Sequence, residues 1–128
     1  MRSQFGSVAF LTTAAIILAG RASSMPPAFH DIESAYAGDQ ARDAGRAAIL
    51  QAVPIGTSLE NAEAVLRDAG ARCKPRHGEP GAIRCSYDEM SNDGDAIDDT
   101  RWTTILHVQD GHVVNVTVDR EVDTRVTS

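Results

Sequence analysis

The sequence predicts an α+β domain in which two N-terminal helices pack on one face of a three- to four-stranded antiparallel sheet. Three observations favour this architecture. Apolar residues recur at helical spacing before Gly70 and alternate with polar residues after it. The dipeptide Asp110-Gly111 is typical of a tight turn between two strands. Because helices and strands are segregated along the chain, an α+β class is favoured over an alternating α/β class.

The first 22 residues have the pattern of a secretory signal peptide. Arg2 is basic, residues 8–19 form an uncharged apolar run, and small residues favour cleavage after Ala22. This run is shorter than the roughly twenty apolar residues that a membrane span needs. An uncleaved anchor helix is the alternative interpretation. The chain is therefore predicted to be periplasmic or secreted.

Residues 23–38 are predicted to be a flexible lead-in, because Pro26-Pro27 disfavours a helix. The first helix is predicted over 39–53, where alanines line one side and Pro54 ends the segment. The second helix is predicted over 57–69. Thr57 and Glu60 there have the spacing of a capping box, and Gly70 provides a left-handed stop. The apolar face of this second helix consists of Leu59, Ala62, Val65, Leu66 and Ala69.

After Gly70 the pattern becomes that of a sheet. The predicted segments are an edge strand or extended connection at 71–74, a turn at 75–81, a strand at 82–87, a polar acidic loop at 88–100, strands at 101–108 and 112–119, and a tail at 123–128. The helix–helix–sheet domain is thus expected to occupy 39–122.

The register of the last hairpin follows from burial. A two-residue turn at Asp110-Gly111 would pair Val108 with Val113 and mix apolar with polar residues on both faces. A three-residue loop pairs Val108 with His112 instead and places most of the large apolar groups on one face. The sequence therefore predicts the three-residue loop. The core residues expected from it are Trp102, Leu106, Val114, Val116 and Val118.

Cys73 and Cys85 are the two cysteines of the chain, and in an exported protein such a pair indicates a disulfide. The loop of about 13 residues that it closes corresponds to roughly 3 kcal/mol of stabilisation. A metal pair or a redox pair are the alternatives. Both are disfavoured, because no further ligands stand at short spacing and the two cysteines are too far apart for a C-x-x-C motif.

Several short features together resemble the SmpA/OmlA (BamE-like) family, which shares its helix–helix–sheet layout with the β-lactamase-inhibitor-like fold. The resemblance covers about 55–119. The features are Ile55-Gly56-Thr57-Ser58 opening a helix through Val65-Leu66, the stop at Gly70, the strand with Trp102, and the Asp110-Gly111 hairpin. The resemblance implies a small envelope or secreted protein that binds other proteins without catalysis. Arg21 stands where the lipidated cysteine of the assembly lipoproteins belongs, so no lipid anchor is expected.

Composition narrows the classes of partner. The net charge of −6 argues against nucleic acid, whose phosphates require a basic footprint, and against an anionic membrane surface. The acidic segment 88–99 fails as a calcium loop, because Thr100 stands where the bidentate glutamate is needed. No cofactor, metal or catalytic motif is recognised. Another envelope or secreted protein is therefore the expected partner.

Two surfaces are predicted to contact that partner. One is the turn with Arg76, His77 and Glu79, which the disulfide would hold rigid. The other is the open sheet face with Ile105 and His107. Two alternatives remain: a periplasmic inhibitor or immunity protein that acts on an enzyme through its acidic loop, and a small enzyme that uses His77 and Glu79 as an acid–base pair.

Overall fold

A computed structural model describes residues 28–126 of the chain. The predicted signal peptide 1–22 and residues 23–27 of the predicted lead-in lie outside the described residues. Three helices precede a four-stranded antiparallel sheet whose strands follow one another in sequence order, which is the predicted α+β class. The helices are α1 (Phe29–Ala35), α2 (Asp39–Ala52) and α3 (Leu59–Asp68), and the strands are β1 (Arg72–Pro75), β2 (Ala82–Asp93), β3 (Ala96–Gln109) and β4 (His112–Val126). None of the described helices is long and apolar enough to cross a bilayer.

Helix α1 corrects the prediction that 23–38 is a flexible lead-in. Phe29 and Ile32 lie on one side of this short helix, and both are buried in the core. The ring of Phe29 stacks on Tyr87 at a centroid distance of 5.2 Å and lies 5.3 Å from the ring of Trp102. Tertiary burial of these two side chains stabilises a helix that is too short to form alone.

Helix α2 confirms the predicted helix at 39–53 to within a residue, and its packing explains why a glycine stands at position 45. Ala41, Gly45 and Ile49 recur every four residues and are buried. A Cβ atom at position 45 would overlap the six-membered ring of Trp102, which is itself fully buried. Gly45 therefore allows α2 to approach the sheet closely enough to cover Trp102.

Helix α3 lies where the second helix was predicted, but its cap differs. Ser58 is the N-cap, and its hydroxyl accepts a hydrogen bond from the Asn61 amide at 3.2 Å. Thr57 instead donates its hydroxyl proton to the Pro54 carbonyl at 2.6 Å. The predicted N-cap at Thr57 is therefore wrong by one residue, and Asn61 stands where a capping box with Ser58 would need Glu or Gln. Gly70 ends the helical region with a φ of 111°, as the predicted left-handed stop requires.

Strands β2 and β3 run through the segment predicted as a polar loop at 88–100. They meet at a turn containing Gly94, and β4 likewise continues through most of the predicted tail to Val126. Polar pairs across the strands support this extension. Arg101 donates to Asp88 at 2.7 Å, and Thr124 donates to Asp98 at 2.6 Å. Because polar residues occupy both faces here, apolar alternation gave no signal for these strands.

The β3–β4 hairpin has a two-residue turn, so the predicted three-residue loop is wrong. Asp110 and Gly111 both have positive φ, of 52° and 78°, as a type I′ turn requires. Val108 pairs with Val113, and a β-bulge follows. The bulge adds one residue to β4, so that Val116 and Val118 lie on the same face as Leu106. The mixing of apolar and polar residues that this turn would otherwise cause is thereby avoided. Val113 is thereby buried, and Val114, a predicted core residue, is 42% exposed.

The remaining core predictions are confirmed. The helices cover the sheet face that carries the buried residues Trp102, Leu106, Val116 and Val118. The disulfide between Cys73 and Cys85 is present and joins two residues that face each other across β1 and β2. It therefore ties the strand that follows α3 to the second strand of the sheet.

The outer edge of β4 is partly covered by the chain itself. Gly56 donates its amide to the Val113 carbonyl at 2.7 Å, and Val113 donates to the Thr57 carbonyl at 2.8 Å. Farther along the strand, Arg46 of α2 donates from Nη2 to the Val118 carbonyl at 3.1 Å. Hydrogen bonds within the molecule thus occupy this edge at intervals as far as Val118.

Helix α1 is fixed to the sheet by a largely buried ion pair. Arg120 donates from Nε and Nη2 to the two carboxylate oxygens of Glu33 at 2.7 and 2.9 Å, and Trp102 Nε1 donates to the same carboxylate at 2.6 Å. The side chains of Glu33 and Arg120 are only 9% and 13% exposed. Desolvation opposes ionisation, but these hydrogen bonds hold the pKa of Glu33 below its ordinary value.

We expect Glu33→Gln to lower the free energy of unfolding by about 2 kcal/mol near neutral pH, because Arg120 loses its charged acceptor. Folding lowers the pKa of Glu33 below 4.5, so this stabilisation is present above that pH. It is lost as the pH falls through the lower pKa of the folded state. Urea denaturation at a series of pH values measures the difference between wild type and variant, which should shrink in acid.

The matched control for this prediction is Glu121→Gln, which removes the same charge from an exposed position on β4. Its effect should stay within about 0.5 kcal/mol. A difference between wild type and Glu33→Gln that does not change with pH would contradict the assignment of the stabilisation to the ionised carboxylate.

Candidate binding site on the open face of the sheet

The helices cover one face of the sheet and leave the other face open. Residues 102, 104 and 106 of β3 are buried under the helices, whereas the alternating residues 101, 103 and 105 are exposed or half-buried. The strand register then identifies the other members of this open face. They include Arg72 and Lys74 of β1, Arg84, Ser86 and Asp88 of β2, Asp99 and His107 of β3, and Asn115, Thr117, Asp119, Glu121, Asp123 and Arg125 of β4.

A cleft of about 540 Å³ lies at the β1–β2 corner of the open face. This volume is within the usual range for small-molecule sites in proteins. The cleft is lined by five cationic residues and a histidine, and is hereafter called the basic cleft: Arg72, Lys74, Arg76, Arg84 and Arg101, together with His77. Gly70, Tyr87 and Asp88 also border it.

Two of these cations are already paired with carboxylates. Arg101 donates to Asp88 at 2.7 Å, and this hydrogen bond raises the pKa of Arg101. Arg76 lies 3.2 Å from the carboxylate of Glu79. Within residues 28–126, Arg72, Lys74 and Arg84 form no ion pair. The basic cleft therefore holds three cations without a counter-charge from the described part of the protein.

The opposite side of the open face is acidic. Asp119, Glu121 and Asp123 lie along β4, and Asp99 faces Asp123 across the β3–β4 pairing. Charge is thus separated across the sheet, with cations on the β1 side and carboxylates on the β4 side. A surface of this kind can orient a charged partner during association.

Tyr87 borders the basic cleft, but its ring lies on the helix-covered face, where it stands opposite Trp102 and stacks on Phe29. Its hydroxyl donates to Glu89 at 2.6 Å, and burial together with that carboxylate raises the pKa of Tyr87 far above its usual value. His30 Nδ1 lies 3.0 Å from the same carboxylate, and the hydrogen bond raises the pKa of His30. Glu89 therefore links α1 to β2 beside the cleft and holds the tyrosine as a neutral phenol.

The predicted contact residues are partly brought together. Arg76 and His77 line the basic cleft, whereas Glu79 is exposed and its carboxylate contacts Arg76. Ile105 is directly opposite Arg84 and is half-buried, so it borders the same region of the open face. His107 is also half-buried on this face, opposite Ala82.

Sequence reasoning did not single out Arg72, Lys74 and Arg84. A signal for them existed in the spacing, because basic residues stand at 72, 74 and 76 and alternate strand positions share one face. The negative net charge of the whole chain obscured this local pattern. The described residues contain no group of three His, Cys, Asp or Glu side chains placed to hold a metal ion.

No protein-family model, curated protein or solved structure matches this chain. The resemblance to the SmpA/OmlA family therefore stays a prediction. The chemistry of the basic cleft and the open face is the basis for assigning a function.

Proposed function

We propose that this chain is an exported binding module of the cell envelope, which binds another envelope or secreted protein through its open face and has no catalytic role. One observation carries the proposal. In a chain with a net charge of −6, Arg72, Lys74 and Arg84 are gathered at one corner of the open face, opposite the carboxylates of β4. Such separation of charge favours a partner that presents an acidic region to the cleft.

The scaffold is suited to this role. The helices bury one face of the sheet and leave the other for contact, so binding does not require the core to open. The disulfide and the Glu33–Arg120 ion pair hold the strands and α1 in place, and a rigid site loses less conformational entropy on binding. The disulfide also suits the oxidising compartment to which the predicted signal peptide would direct the chain.

A pull-down with matched charge reversals tests the proposal. The bait is the exported protein, purified with its disulfide intact and incubated with an envelope extract from the source cells. Arg84→Glu should reduce capture of the specific partner by at least about tenfold, because like charges across an interface are strongly unfavourable. Quantitative mass spectrometry of the bound fraction measures the loss.

Arg67→Glu is the control, since Arg67 is an exposed arginine of α3, on the side of the sheet away from the open face. It should change the capture of the same partner less than about twofold, because an exposed charge outside the contact is largely screened by salt. Equal capture by wild type and Arg84→Glu would show that the basic cleft is not the contact. Recovery of a metabolite without any specific protein would contradict protein binding itself.

A further inference from the structure

We infer that Arg72, Lys74 and Arg84 form a site for a multivalent oxyanion of the phosphate class. This site goes beyond the proposed function, because it takes a small anionic group and does not depend on a partner protein. The three cations line one wall of the basic cleft and have no ion pair within the described residues 28–126.

The pairing of Lys74 with Arg84 is the first argument. These two cations stand directly opposite each other on β1 and β2. Like charges in directly opposed positions destabilise a sheet. The chain contains 18 acidic residues, yet Arg72 faces Ser86 and Lys74 faces Arg84 rather than a carboxylate. A bound anion would supply the counter-charge that the protein does not.

The spacing of the three residues is the second argument. Directly opposed residues have Cβ atoms about 5 Å apart, and diagonal neighbours such as Arg72 and Arg84 about 7–8 Å apart. Long side chains at these separations can converge on a single tetrahedral anion. The two guanidinium groups can each donate two hydrogen bonds to a pair of oxygens, and the ammonium adds a third charge.

The charge of the ligand is the third argument. A single carboxylate brings one charge and two oxygens, which is too little for three cations. A phosphate group brings a charge of about −1.5 to −2 and three strongly accepting oxygens. Ser86 lines the same cleft between the cations, and its hydroxyl can donate a further hydrogen bond to the phosphate. Asp88 and Glu79, the nearby carboxylates, are held by Arg101 and Arg76.

An NMR titration with inorganic phosphate tests the site. Phosphate replaces chloride stepwise, at constant ionic strength, in a solution of the exported protein with its disulfide intact. The NMR signals of the backbone amides and of the arginine Nε–H groups are recorded at each step. We expect saturable shifts around Arg72, Arg84 and Ser86. Arg84→Gln and Lys74→Gln should each weaken phosphate binding by about tenfold, since each removes a charged hydrogen-bond donor.

Arg125→Gln is the matched control and should leave phosphate affinity within about twofold of wild type. Thermal melts show whether each variant stays folded. Shifts that do not saturate, or equal effects of all three substitutions, would mean nonspecific screening and would overturn the site. Tighter binding of a tetraglutamate peptide than of phosphate at the same residues would overturn the phosphate class in favour of carboxylates.

Two further probes distinguish the sources of the phosphate group. Glycerol 1-phosphate represents a free phosphate ester, and vesicles of phosphatidylglycerol in phosphatidylcholine represent a lipid headgroup. Binding to either probe that is lost in Arg84→Gln supports the site and identifies its source. Failure of phosphate binding would leave the proposed protein contact intact, because the pull-down measures that contact separately.

Discussion

Replacement of Gly45 by alanine is expected to lower the free energy of unfolding by about 3 kcal/mol, because the added methyl group overpacks the core. Alanine favours a helix by about 1 kcal/mol over glycine, so an exposed glycine would show the opposite sign. At position 45, however, the new Cβ atom would overlap the Trp102 ring, which has no exposed surface. Urea denaturation of the variant and wild type measures the loss.

A double-mutant cycle shows whether the contact with Trp102 is the cause. Trp102→Phe removes the part of the ring that the methyl group would overlap. In this background, Gly45→Ala should cost at least about 1 kcal/mol less than in wild type, because contacting residues couple. Gln51→Ala is the control in the exposed part of α2 and should be neutral or slightly stabilising. Additive effects of the first two substitutions would contradict the contact.

Reduction of the Cys73–Cys85 disulfide is expected to lower the free energy of unfolding by about 3 kcal/mol. The bond restricts the unfolded chain by closing a short loop, and a domain of this size has little stability to spare. Urea denaturation of the wild type in the absence and in the presence of a thiol reductant measures the effect. Because the Cys85 side chain stays in place, no cavity is created there. The reduced protein should have a lower midpoint.

The double variant Cys73→Ala/Cys85→Ala separates the bond from the reductant. It should be at least as unstable as the reduced wild type, since Cys85 is buried and its replacement also removes packing. The reductant should not affect this variant. Equal free energies of unfolding for the oxidised and reduced wild type would show that the disulfide contributes no stability.

Local signals were sufficient for much of the fold. Helices α2 and α3 have apolar residues at helical spacing, and the Asp110-Gly111 dipeptide located the β3–β4 hairpin, although the three-residue loop predicted for it was wrong. Other features depend on tertiary contacts. Helix α1 forms because Phe29 and Ile32 reach the core, and the bulge before Val116 cannot be read from alternation alone.

The candidate site was predictable only in part, for a similar reason. Arg76 and His77 lie in a turn bounded by the cysteines, so their exposure could be predicted from the sequence. The grouping of Arg72 and Lys74 with Arg84 requires the pairing of β1 with β2, which joins residues about ten positions apart. Averaged over the chain, the charge is negative, and this hides a basic region that exists only in the folded sheet.

The coverage of the β4 edge has a consequence for self-association. A neighbouring molecule would have to displace residues 56–59 or the Arg46 side chain before its backbone could pair with the first half of this strand. The second half carries Glu121, Asp123 and Arg125, and charged side chains at an edge oppose the stacking of identical strands. Pairing of a second molecule with this edge of the sheet is thereby disfavoured.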